Sequence, residues 1–164
     1  MMRPSEMDRA AFVARFGGVF EHAPWIAEGA WEERADTAEA LHAAMVKVLH
    51  SADHATKLAL LNGHPDLAGK LAVSGGLTAD STAEQASAGL DRCTPDEFQR
   101  FTALNDAYKA RFGFPFIMAV KGRSRAEILA AFERRIHNSP EEEFDTALAQ
   151  VERIGLLRLK DLLP

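Results

Sequence analysis

Apolar positions along this chain recur every three or four residues, the spacing of one buried helical face, while runs that alternate with a period of two are short and scarce. The clearest stripe is Leu41, Ala44, Met45, Val48 and Leu49, preceded by Thr37, a residue type that caps helix N-termini. Ser5 with Asp8 predicts an earlier helix through about Phe16, stopped by Gly17-Gly18. Asp53 predicts the start of another, carrying Leu58, Leu60 and Leu61 as far as Asn62-Gly63. Thr94-Pro95-Asp96-Glu97 joins a capping box to a proline at the first helical position, and the helix it opens carries Phe98, Phe101, Leu104 and Tyr108 before Gly113 ends it. Ser124 with Glu127, and Ser139-Pro140-Glu141-Glu142, open two more, the last reaching almost to Pro164. Phe114-Pro115-Phe116-Ile117-Met118-Ala119-Val120 is apolar without helical polarity and reads as an extended buried segment. The pattern predicts an all-α, single-domain bundle of about seven to nine helices across residues 1–164, with residues 1–7 a loosely ordered N-terminal segment.

Composition narrows the possible partners. A chain of 164 residues can hold one full core, burying roughly 70% of its unfolded surface. With 47% hydrophobic and 26% charged residues, no stretch approaches the about 20 consecutive apolar residues of a membrane span. The segment Met1 to Asp8 lacks a secretory apolar stretch, and Asp161-Leu162-Leu163-Pro164 is not a peroxisomal address, so the expected location is cytoplasmic. A net charge of −5 with scattered basic residues offers no basic face for nucleic acid. Cys93 is the single cysteine, so an internal disulfide or a thiolate metal cluster within one chain is excluded. His50 and His54 have an i, i+4 spacing that suits a metal, but Ser51-Ala52-Asp53 reads as a helix break and no third ligand is evident. No metal and no cofactor is expected.

One histidine has an unusual setting. Pro65 pushes the residue before it out of the α region, so His64 occupies a stiff, non-helical position directly after a predicted helix. There it can aim an imidazole, whose proton exchanges near neutral pH, into a cleft. Alone, such a histidine more often satisfies a turn. Ser81 can cap a helix carrying Glu84 and Gln85 in its first turns, but Ser-x-x-Glu by itself is only a capping box. Phe112, Phe114 and Phe116 by themselves read as core packing.

Taken in order, Gly63-His64-Pro65-Asp66-Leu67-Ala68-Gly69-Lys70, Ser81-Thr82-Ala83-Glu84-Gln85 and Arg111-Phe112-Gly113-Phe114-Pro115-Phe116-Ile117 resemble the 2-oxo-4-hydroxy-4-carboxy-5-ureidoimidazoline (OHCU) decarboxylase family. The resemblance runs from about Asp8 to the C-terminus, through the segment Phe16 to Ala27 and the closing run Val151 to Leu159. Asn62-Gly63 departs from it, standing where many relatives carry Arg-Ala. Such enzymes act after urate oxidation and ring opening in purine breakdown and yield (S)-allantoin.

The resemblance implies a proton-donating His64 and a substrate-contacting Pro65. Glu84 would favour the imidazolium or accept from the substrate hydroxyl. Gln85, both donor and acceptor, would orient a ureido group or ring amide alongside Ser81, Thr82 and Ala83. The main chain of Phe116, Ile117, Met118, Ala119 and Val120 would line the substrate, and Arg158 would reach a carboxylate or carbonyl with its forked donors. The substrate's own imine-like ring carbon provides an electron sink, which explains how such an enzyme works without pyridoxal phosphate, thiamine or metal. The implied partner is this small ureidoimidazoline, with no nucleic acid and no membrane, in a chain inclined to a homodimer. The competing reading is a catalytically silent ligand-binding or scaffold module of the same fold.

Overall fold

The computed structural model describes residues 2–69 and 76–164. Among them every regular element is helical, and the fold class is all-α. In chain order these are a 3-10 turn Pro4–Glu6, α1 Arg9–Phe16, α2 Pro24–Ala30, a 3-10 turn Trp31–Glu33, α3 Ala38–His50, α4 His54–Asn62, α5 Ala79–Ser87, α6 Pro95–Phe112, α7 Arg125–Arg135 and α8 Pro140–Leu162. The chain divides into two compact units, residues 1–63 with 151–164, and residues 64–150. No helix among the described residues is long and apolar enough to cross a membrane. Lys70, the last residue of the histidine motif, lies outside the described residues.

Local chemistry accounts for most helix starts. Thr37, Asp53, Thr94 and Ser124 each accept a hydrogen bond from the amide three residues on, at Ala40, Thr56, Glu97 and Glu127. Ser139 does the same for Glu142. Each such cap satisfies an otherwise orphaned donor and is worth about 1 kcal/mol.

Two expected starts are corrected. Asp8, not Ser5, caps α1 by accepting from the Ala11 amide. Ser5 lies in the Pro4–Glu6 turn, where its amide and hydroxyl both donate to Asp36. Trp31 Nε1 donates to the Met7 carbonyl. Ser81 is likewise not a cap: Thr78 is, and its hydroxyl accepts from the Ser81 amide. Both Thr78-x-x-Ser81 and Ser81-x-x-Glu84 carry a capping residue type at the right offset, so spacing alone does not separate them.

In the first unit, α2 packs against α1 and α3. Helix α2 was not among the elements predicted from periodicity; it begins on Pro24 without a side-chain cap and buries Ile26, Ala27 and Ala30. Its approach to α3 is close at Gly29, where a Cβ would lie 2.9 Å from a Val48 methyl. On α3 the predicted stripe is buried at Leu41, Ala44, Met45 and Leu49, with Val48 half-buried.

The second unit is organised around Tyr108 on α6. Its ring meets Phe112, Phe114, Phe116 and Phe132 at centroid distances of 4.6, 5.8, 5.5 and 5.8 Å. Phe116 stacks on Phe132 of α7 at 3.9 Å. These contacts draw residues 114–120 inward as the expected non-helical buried segment. The turn into it is made at Gly113, with φ of 80° and nothing within 4 Å of a built Cβ. Gly113→Ala therefore carries a backbone cost without a steric one. It should lower unfolding stability by about 1 kcal/mol in a urea titration. An unmoved midpoint would show that the helix end can close in the right-handed region instead.

Candidate active site

His64 follows α4 directly, half-buried in a bend ahead of Pro65. Gly63 ends α4 with φ of −77°, and a Cβ there would meet the Leu60 carbonyl at 3.4 Å. That is ordinary contact, so alanine fits the same backbone and the Asn-Gly departure imposes no special geometry.

The loop after Pro65 is held through its main chain. Gln85 Nε2 donates to the Asp66 carbonyl at 3.2 Å, and Gln85 Oε1 accepts from the Ala68 amide at 3.0 Å. Asn105 Nδ2, from α6, donates to the Leu67 carbonyl at 3.0 Å. Lys109 closes the outer side with a 2.8 Å ion pair to Asp66. Ala68 is buried with φ of 53°, a left-handed conformation that costs an L-residue about 1–2 kcal/mol. The Gln85 bond to its amide helps to hold that conformation. The glutamine expected to orient substrate thus has both amide ends engaged on the histidine loop.

On α5, Ser81 and Gln85 lie one turn apart and are buried, Glu84 is half-buried, and Thr82 and Ala83 are exposed. Thr82 also donates its hydroxyl to the Thr78 carbonyl. In the segment expected to line substrate, Phe116, Ile117 and Val120 are buried, while Met118 and Ala119 are half-buried. Arg135 donates to the Ile117 carbonyl at 2.8 Å, and the Ala119 amide donates to Gln150 at 2.9 Å. Two main-chain groups of this segment are thereby set by the protein itself.

Behind it lies a buried polar cluster. Glu143 is fully buried and accepts from the Tyr108 hydroxyl at 2.6 Å, from Arg135 Nε at 2.7 Å and from Asn138 at 3.0 Å. The Arg135 guanidinium also lies over the Phe116 ring at 4.3 Å. Burial, reinforced by the hydrogen bond to Glu143, pushes the Tyr108 phenol well above its ordinary range, so it remains a donor.

Arg158 belongs to the first unit and is buried on α8. Its guanidinium donates to the Gly18 and Val19 carbonyls at 3.3 Å and to the buried Glu21 carboxylate at 3.4 Å. It is therefore a braced cation rather than a swinging arm. His50 ends α3 and His54 begins α4, so they do not share one helical face. His50 Nε2 lies 2.8 Å from Glu152. Among the described residues no group of three metal-ligating side chains occurs.

A cavity of about 360 Å³ borders the second unit, lined in part by Asp66, Phe98, Asn105, Asp106 and Lys109. Of the described motif residues only Asp66 and Gly69 line it. Asn105, Arg135 and Glu143 were not singled out in the sequence. The available signal for Asn105 was a polar residue on the Phe101, Asn105, Tyr108 face of an otherwise apolar stripe. Glu143 was disguised as the third member of an acidic run at a helix start.

The second unit thus uses buried side-chain amides to fix a histidine-bearing loop, and a buried ion pair to set the main chain at Ile117. Residues 5–160 match the family described as OHCU decarboxylase, and the chain belongs to that family of carboxy-lyases. The 2-oxo-4-hydroxy-4-carboxy-5-ureidoimidazoline decarboxylases of Halalkalicoccus jeotgali and Haloferax volcanii are 42% and 40% identical to it. Those matches cover 96% and 98% of this chain, and 88% and 94% of theirs. A crystal structure of (S)-allantoin synthase superposes with a TM-score of 0.78 at 31% identity over 98% of this chain. This chain spans about half of that solved one, 52% of its length.

Proposed function

We propose that this chain converts 2-oxo-4-hydroxy-4-carboxy-5-ureidoimidazoline to (S)-allantoin and carbon dioxide, with His64 as general acid/base. Family membership over residues 5–160 supports the reaction. The observation that carries the role of His64 is the loop behind it, held at Asp66, Leu67 and Ala68 by buried side chains. A proton must be delivered from a defined place, and a fixed loop supplies one.

The bond from the hydroxyl-bearing ring carbon to the carboxylate breaks, and its electron pair flows through the neighbouring carbon to ring nitrogen. The ring nitrogen takes up a proton, the hydroxyl gives up its own as the carbonyl forms, and the ureido-bearing carbon gains one, so the carboxylate form consumes one proton overall. Delivery of the carbon's proton to one face sets the product's hand. Glu84 orients the imidazole and favours its charged form. Pro65, the first turns of α5 from Ser81 to Gln85 and the main chain of residues 116–120 hold the ureidoimidazoline. Arg158 binds and polarises a carboxylate or carbonyl. Over-tight pairing with the departing carboxylate would stabilise the ground state, so the useful contacts are those that strengthen as charge enters the ring. The substrate provides the electron sink, and no step requires a cofactor. We place the enzyme in the cytoplasm, paired as a homodimer.

Freshly generated substrate, followed by circular dichroism, should yield the (S)-allantoin signal faster with the protein than without it. Binding of allantoin with no acceleration of its formation would instead establish a silent binding module.

A further inference from the structure

We infer that Asn105 is a positioning residue for His64, acting through the Leu67 carbonyl; this rests on the reading of His64 as the proton-handling group. Pro65 fixes its own φ, which leaves few free torsions between the imidazole-bearing residue and the first held groups downstream. Those groups are the carbonyls of Asp66 and Leu67 and the amide of Ala68. Gln85 holds the first and third, and Asn105 holds the middle one from a different helix. Two clamps on separate elements resist rotation of the loop, whereas one would act as a pivot.

The choice of asparagine is informative. Its Nδ2 meets Leu67, but its Oδ1 is buried and makes no hydrogen bond with any described residue. Asn105 itself is 4% exposed, on the face of α6 shared with Phe101 and Tyr108. A residue selected for packing alone would be apolar here and would strand no acceptor. What only a donor at this position achieves is capture of the Leu67 carbonyl, which cannot turn to solvent because Leu67 and Ala68 are both buried.

The test replaces Asn105 with leucine, of similar size and with no donor, and with serine, whose small hydroxyl leaves room for a water to bridge to Leu67. Turnover is measured per folded molecule, alongside the NMR titration of the His64 imidazole, whose signal is assigned by its loss in His64→Asn. Asn105→Leu should lower kcat by about 10- to 100-fold with KM within about threefold, and should move the His64 titration. Asn105→Ser should recover part of both. Should Asn105→Leu fail to fold, the serine variant alone decides, with a reduced kcat and a shifted titration expected. A loss of thermal stability with kcat and the His64 titration unchanged would reduce Asn105 to a packing role and overturn the inference. The His64→Asn arm is separate: full activity there sinks the general acid/base reading, while the titration in the Asn105 variants still reports whether the loop moves.

Discussion

His64→Asn should lower kcat by about 10²- to 10⁴-fold while leaving KM within a few-fold, the range contributed by a positioned general acid/base. Asparagine keeps the size and polarity of the side chain, and it can occupy the same extended backbone ahead of Pro65. The loop clamps contact Asp66, Leu67 and Ala68 rather than the imidazole, so the fold should survive the change. What is lost is a group that takes and returns a proton near neutral pH. A further expectation concerns stereochemistry. The labile acid decomposes without help, so product formed by the variant should lose its (S) excess as spontaneous protonation from solvent competes. Circular dichroism at matched conversion reads both effects. Wild-type turnover with full (S) excess would remove His64 from the mechanism.

The second large effect concerns stability. Glu143→Gln keeps the shape of the side chain but leaves the Arg135 cation without its counter-charge in a fully buried setting. Breaking a buried pair from one side costs about 3–5 kcal/mol. In a chain of this size that corresponds to roughly a 10 °C fall in melting temperature. The double replacement of Arg135 by methionine and Glu143 by leucine should recover much of the loss, because neither charge is then stranded. The double variant should lose activity even so, since the Ile117 carbonyl then lacks the Arg135 donor that sets it. Scanning calorimetry with turnover at a permissive temperature separates the two readouts. A change below about 1 kcal/mol for Glu143→Gln would mean that the cluster is hydrated rather than dry.

The predicted caps that held were those whose information is local. Thr94-Pro95-Asp96-Glu97 contains the whole of its own hydrogen-bond pattern, as do Ser124 with Glu127 and Ser139 with Glu142. The Ser81 cap failed because two overlapping three-residue offsets satisfy the same rule, and only the fold selects Thr78. Helix α2 went unpredicted because its start has no side-chain cap and the helix is only seven residues long.

What the amino-acid order determined by itself is the set of helices written in contacts within one or two turns, and the stiff placement of His64 ahead of Pro65. Tertiary structure decided which polar side chains serve the histidine loop and the 116–120 segment. Asn105 reaches a carbonyl 38 residues away, Gln85 reaches main-chain groups 19 and 17 residues away, and Tyr108 meets Glu143 across 35. For the three contacts to the histidine loop the physical reason lies at the main-chain end. A backbone carbonyl or amide is carried by nearly every residue, so a side chain that binds one leaves no residue-type signature opposite it until the chain has folded.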